Sequence, residues 1–261
     1  MKNACKIGKN FVLLKPNGEV ILAAKRRRKL ATRIKDYFRS SQTLAFGLIA
    51  VLPLLLGYEY LALRASQEHV LEVRNGADVI LRTLLKGIGL HSPFYLGIGL
   101  VVALGLAIGF RRRGTHLQVS HFFLALFESV LYAVALTYAL TGTIEQFMLS
   151  ATVQRAFHSE LMLALGAGVY EEVFFRLLLF GSSVYALRHI TSFHPVMLTL
   201  SCAVFSSVLF SLAHYMGFES FTVYSFIYRF LAGMIFCLIY YYRGFGIAAW
   251  THAIYDIALI V

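Results

Sequence analysis

Seven apolar stretches, each near the ~20 residues that cross a bilayer as a helix, dominate this 261-residue chain. They cover 43–63, 94–110, 121–140, 160–180, 196–215, 221–242 and 245–261, with short loops of Arg, Gly, Pro or His between them. Only 14% of the residues are charged and 59% are hydrophobic, whereas a soluble domain carries about 25% charged residues. The fold expected is all-α: a polytopic membrane helix bundle of about seven transmembrane helices.

Three segments follow from the pattern. Residues 1–41 are polar and basic. Within them, Phe11–Lys15 and Glu19–Leu22 flank Pro16-Asn17-Gly18, a pattern that predicts a β-hairpin. Residues 42–150 hold the first transmembrane helices. Their long connection, 64–93, carries Val70, Leu71, Ile80, Leu81 and Leu84 among charges, which predicts an amphipathic helix on the membrane surface. Residues 151–261 form the third segment.

The net charge of +11 is concentrated in the first forty residues and in short loops. That is the pattern of a membrane-topology anchor touching anionic lipid, not of a nucleic-acid surface. With the N-terminus inside, 17 Lys and Arg lie in cytoplasmic segments and 5 outside, leaving Arg176 and Arg229 within spans. An N-in, C-out protein of a bacterial inner membrane is expected, with no cleavable signal peptide because the first forty residues lack an apolar core. Cys5, Cys202 and Cys237 have no CxxC spacing and read as small core residues, not as a disulfide or zinc framework.

Chemistry concentrates in Gly168-Val169-Tyr170-Glu171-Glu172-Val173-Phe174-Phe175-Arg176. A charge at membrane depth costs roughly 2.5–3.5 kcal/mol even on insertion scales, so it marks a functional site by default. Glu172 and Arg176 are four apart and pair on one helix face, while Glu171 turns about 100° away and is free for other partners. Two later spans supply candidates. Phe210-Ser-Leu-Ala-His214 places an aromatic ring beside an imidazole, and His252-Ala-Ile-Tyr-Asp256 stacks an imidazole on a carboxyl. On a rise of about 1.5 Å per residue, Glu171 lies roughly 24 Å from a helix end near Leu187, and His214 roughly 27 Å from a start near Val196. His252 comes out only about 10 Å from a start near Phe245, so that helix must tilt or begin deeper.

Two mechanisms use such groups. In one, Glu171 is a general base for water, His214 orients that water and His252 donates to the oxyanion. In the other, Glu171, His214 and His252 ligate Zn²⁺, although no HExxH is present.

The three pieces in this order resemble the motifs EExxxR, FxxxH and HxxxN or HxxxD of the CAAX-prenyl-endopeptidase and bacteriocin-self-immunity family of intramembrane proteases. They stand here as Glu171-Glu172-Val-Phe-Phe-Arg176, Phe210-Ser-Leu-Ala-His214 and His252-Ala-Ile-Tyr-Asp256, within roughly residues 155–261. The resemblance implies a four-helix catalytic core and a glutamic-type protease that needs no metal cofactor. Glu171 and His214 would activate water, His252 and Asp256 would form the oxyanion site, and Glu172 and Arg176 would support them. Asp256 departs from better-studied members, which carry Asn there, and Leu177 replaces a common Gly or Ser. The implied substrate is a membrane protein or peptide. The family's substrates span prenylated proteins, bacteriocin-related immunity and C-terminal membrane anchors.

Rival readings are the zinc protease, a non-catalytic immunity or peptide-binding protein, and a transporter suggested by Glu128 and Arg229. Those two mid-span charges are expected to pair with each other or to face a polar cavity. Glu59 reads as an interfacial carboxylate and His189 and His194 as solvated. Tyr224, Tyr228, Tyr240, Tyr241 and Tyr242 read as belt or core residues, and Tyr170 and Tyr255 as packing beside the site.

Overall fold

A computed structural model describes residues 4–7, 10–13, 22–67, 74–89, 118–148, 157–216 and 219–260. The chain divides into two compact units, Met1–Ser40 and Ser41–Val261.

The first unit contains an antiparallel pair, β1 (Ala4–Ile7) and β2 (Asn10–Leu13), with Ile7 opposite Asn10, and most of helix α1 (Leu22–Ser41). A strand forms at Phe11 and pairs with Ala4–Ile7; most of the expected hairpin, residues 14–21, lies outside the described residues. Leu22-Ala-Ala-Lys-Arg-Arg-Arg-Lys is a run of good helix formers, and Leu22 opens a helix.

The second unit is helical throughout its described residues. Thr43 caps α2 (Leu44–Ala50) by accepting from the Phe46 N–H at 3.2 Å. The chain turns at Val51 and resumes as α3 (Leu52–Gln67) with Pro53 in its first turn, where the missing N–H costs nothing. Next come α4 (Gly76–Gly87) and α5 (Val119–Met148). One continuous helix then runs from Phe157 to Ile190. It consists of α6 (Phe157–Gly166), a π-helical segment (Ala167–Gly181) and α7 (Ser182–Ile190). The remaining helices are α8 (Pro195–Ala213), continued by a 3₁₀ turn His214–Met216, then α9 (Val223–Arg243) and α10 (Phe245–Ile260).

Among the described residues, four helices are long and apolar enough to cross a membrane: Leu44–Arg64, Val119–Leu140, Pro195–Met216 and Val223–Arg243. Phe245–Ile260 is apolar but shorter. The helix 157–190 is long enough, but it carries Glu171, Glu172 and Arg176 in its middle. The all-α membrane bundle stands, with the expected stretch 94–110 outside the described residues. The long helix together with α8, α9 and α10 makes a four-helix C-terminal core.

Helix α10 is the axis of that core, with Ile247, Ala248, Ala249, Thr251 and Ala253 wholly buried. Small residues let neighbouring backbones approach it, as in membrane bundles generally. A Cβ on Gly246 would stand 2.9 Å from the Gly47 Cα, so α2 and α10 touch through two glycines. Gly244, at φ +88°, supplies the left-handed turn that brings α10 back beside α9.

Within the expected amphipathic segment 64–93, helix α4 forms with Ala77, Asp78 and Leu81 buried and Val79, Leu84 and Ile88 exposed. Asp78 accounts for the buried side. It accepts from the Tyr58 hydroxyl at 2.8 Å and from Arg74 and Arg82 at 3.2 and 2.6 Å, so α4 is tied to α3 by a buried polar network.

Candidate active site

The site is assembled where the π-helical segment meets α10. At Gly168 the two approach so closely that a Cβ would stand 2.6 Å from both the Ala249 carbonyl oxygen and the Ala253 Cβ. That contact brings His252, between those two alanines, against the carboxylates three and four residues beyond Gly168. π-Helical winding is rare and concentrates at functional positions. Here it covers the whole segment that bears Glu171, Glu172 and Arg176.

Glu172 is fully buried. Its Oε1 accepts from His252 Nδ1 at 2.7 Å and lies 2.8 Å from Arg176 Nη1. The Arg176 guanidinium is also buried, 4.2 Å from the Phe210 ring centroid and 5.0 Å from that of Phe236. Phe236 in turn stacks on His252 at 4.4 Å. One carboxylate thus binds an arginine and an imidazole, and two aromatic rings enclose all three.

Glu171 is placed differently. Its Oε1 accepts from the Asn75 side-chain amide at 2.8 Å. Its Oε2 is buried, accepts no hydrogen bond and lies 3.9 Å from His252 Nε2. His214 and His252 are both within electrostatic reach of it. The His214 ring packs edge-on to Phe210 at 5.0 Å, and its Nδ1 stands 2.9 Å from the Phe210 carbonyl oxygen. A carbonyl only accepts, so Nδ1 carries the hydrogen and a neutral His214 keeps its lone pair on Nε2. Asp256 is a turn beyond His252, with its Oδ2 3.6 Å from His252 Nε2.

The structure therefore brings together Glu171, Glu172, Arg176, Phe210, His214, His252 and Asp256. The depth mismatch of His252 has a simple origin. Leu187 is not level with Phe245, because the long helix runs on past that level to Ile190. Gly181, packed on the Tyr240 hydroxyl, is the better reference beside Gly244. His252 then stands about 12 Å above Gly244, at the height of the two glutamates.

Of the two alternatives for Glu128 and Arg229, the mutual pair does not form. Glu128 holds Arg243, with Arg243 Nη2 on Oε2 at 2.8 Å, and Arg229 holds Glu219 through two bonds of 2.7 Å. Arg229 and Arg243 are at opposite ends of α9, about 21 Å apart, so Glu128 can reach only one of them. Glu59 is partly exposed, and its Oε1 accepts from Tyr170 at 2.7 Å and from Arg82 at 3.2 Å. Sequence reasoning missed Asn75 as well. An N-cap signature at Asn75-Gly76-Ala77-Asp78 was legible, but nothing in it pointed at a carboxylate 96 residues away.

Among the described residues, no three His, Cys, Asp or Glu side chains are grouped closely enough to hold a metal ion. A cavity of about 470 Å³ opens elsewhere, bordered by Leu44, Leu177, Phe180, Arg188 and Phe245, and none of the clustered residues lines it.

Residues 154–258 match the family model described as Rce1-like, type II CAAX prenyl endopeptidase. The matched region contains all three motif segments and nearly all of the four-helix core, and the described residues include helices long and apolar enough to cross a membrane. Comparison with curated proteins and with solved structures gave no match.

Proposed function

We propose that the chain is a glutamic-type intramembrane endopeptidase that hydrolyses a peptide bond of a membrane-associated or lipid-anchored protein. The observation that carries this reading is the Glu171 carboxylate. One oxygen is anchored by an amide and the other is buried and unbonded, 3.9 Å from His252 Nε2, with the His214 imidazole of another helix in electrostatic reach.

Glu171 Oε2 takes a proton from water, and His214 Nε2 accepts from the same water and aims it. The water oxygen bonds to the scissile carbonyl carbon, and the carbonyl electron pair moves to its oxygen. His252 donates from Nε2 to that oxyanion. Its Nδ1–H is already given to Glu172, so donation from Nε2 requires the doubly protonated ring, for which Glu172, Glu171 and Asp256 are the counter-charges. Collapse re-forms the carbonyl and breaks the C–N bond, and Glu171 returns its proton to the leaving amine. Asp256 holds the imidazole from the side where other family members place an amide.

The reaction needs no metal ion, since the chain's own carboxylate generates the nucleophile. The basic first segment and the charge bias support a cytoplasmic N-terminus in a bacterial inner membrane, with anionic lipid as its neighbour and no nucleic-acid partner. The family's name makes a prenylated CAAX protein one candidate substrate, and C-terminal anchors of exported proteins are another.

The test compares membrane-protein C-termini in wild-type cells and in a Glu171→Gln strain. Truncated C-termini present in the first and missing in the second support the reading. Identical sets of C-termini, with the physiological phenotype intact, would turn it towards a peptide-binding or immunity protein.

A further inference from the structure

We propose that Asn75 is a positioning residue for the Glu171 base, supplied by a helix cap outside the family-matched region. The proposal rests on the protease reading and adds a residue to its machinery. Asn75 is buried and opens helix α4. Its Oδ1 accepts from the Ala77 N–H at 2.9 Å. A backbone N–H can only donate, so this cap decides which end of the carboxamide is oxygen. The amino end must then point the other way, and there it donates to Glu171 Oε1 at 2.8 Å. A flipped amide would set its oxygen against a carboxylate and lose the cap as well.

The cap is itself held. The Asn75 backbone N–H donates to the Tyr58 hydroxyl at 3.4 Å, and that hydroxyl donates to Asp78 at 2.8 Å. Arg82 then links Asp78 to Glu59, which accepts from Tyr170, the residue preceding Glu171. The network closes on both sides of the base. Gly166, one turn earlier in the long helix, makes room for it: a Cβ there would stand 2.6 Å from the Tyr58 ring and 2.9 Å from the Asn75 Cβ. A free carboxylate in an apolar helix has several rotamers, and this arrangement leaves Glu171 one, with Oε2 turned to His252 and available for water.

Asn75→Ser keeps a capping oxygen but is too short to reach Glu171. Two readouts separate positioning from stability. The first is turnover of a quenched-fluorescent farnesylated CAAX peptide by the full chain in detergent or nanodiscs. The second is labelling of Glu171 by dicyclohexylcarbodiimide, which couples to protonated carboxyls, followed by peptide mass spectrometry. The expected result is kcat lower by about tenfold or more with KM unchanged, and several-fold faster labelling at Glu171, in protein with wild-type thermal unfolding. Wild-type kcat in Asn75→Ser overturns the proposal. Faster labelling in the variant, with no turnover by the wild-type enzyme, supports the hold on Glu171 and sinks the protease reading instead. If Asn75→Ser does not accumulate folded, Asn75→Asp carries the test, because it keeps the cap and the volume and replaces the donor by an ionised oxygen facing Glu171. Its activity should be lost at neutral pH and recover on acidification, when the new carboxyl is protonated and donates. A wild-type pH profile in that variant overturns the proposal.

Discussion

His252 and Glu172 are bonded Nδ1 to Oε1 at 2.7 Å, while His252 Nε2 stands 3.9 Å from Glu171. Adjacent carboxylates thus meet opposite sides of one imidazole. Glu172 also holds Arg176 at 2.8 Å, so the acid that anchors the ring is neutralised behind it. Glu171 has no arginine bonded to it and keeps an oxygen, Oε2, that accepts no hydrogen bond.

This division predicts two kinds of failure. Removing one partner of a buried ion pair costs about 3–5 kcal/mol, because the other charge is left uncompensated. Glu172→Ala and Arg176→Ala should lose most of that, read as depleted folded protein in membranes and a collapsed thermal transition. Glu171→Gln should leave both unchanged and abolish cleavage. Substantial cleavage by Glu171→Gln would remove Glu171 from the role of base.

A methyl group at Gly168 tests the helix contact that delivers His252. The added Cβ would fall 2.6 Å from a backbone oxygen and a Cβ of α10, and neither can rotate away. Gly168→Ala should cost about 1–3 kcal/mol as overpacking and should lower turnover in the protein that still folds, because His252 is pushed off Glu172. An unchanged rate would mean that the close approach is not what sets the imidazole.

The lesson about legibility is local. Glu171, Glu172 and Arg176 announce themselves because charge in an apolar run is costly, and the i, i+4 spacing already separates strut from free acid. The fold class follows from the same hydropathy. The Phe210–His214 and His252–Asp256 spacings likewise place ring on ring and carboxyl beside imidazole before any coordinates are known. What spacing could not carry was partnership across elements. It linked His252 to Asp256 but not to Glu172, paired Glu128 with Arg229 although these face different ends of α9, and left Asn75 in a surface helix. The His252–Glu172 and Asn75–Glu171 contacts depend on close approach at Gly168 and Gly166, and glycine has no hydropathy or charge signature that names its neighbour.

Metal dependence has a direct measurement. The proposed chemistry draws its nucleophile from Glu171, so prolonged treatment with a tight zinc chelator should leave peptide turnover within about twofold of the untreated rate. Elemental analysis of active enzyme should find zinc far below one per chain. Loss of activity on chelation and recovery on adding zinc alone would replace this mechanism with the metal-bound one on Glu171, His214 and His252.

His214 follows the last turn of α8, and a polar cluster lies beyond it in the chain. Glu219 receives two 2.7 Å bonds from Arg229, whose Nη1 also meets the Ser225 hydroxyl at 2.8 Å and whose guanidinium lies 5.6 Å from the Tyr215 ring centroid. Arg229 is mostly buried, but Glu219 is over a third exposed, so screening limits the stability of the pair. Glu219→Ala should cost only about 1–2 kcal/mol, more than a fully exposed pair and less than the Glu172–Arg176 one. Its effect on turnover should exceed its effect on folding, because Tyr215, beside His214, loses its fixed neighbour. A double-mutant cycle of Glu219→Ala with His214→Ala separates these. If Glu219 acts through His214, its substitution lowers kcat in the wild-type background and adds nothing once His214 is gone. Additive losses would place Glu219 outside the handling of the water.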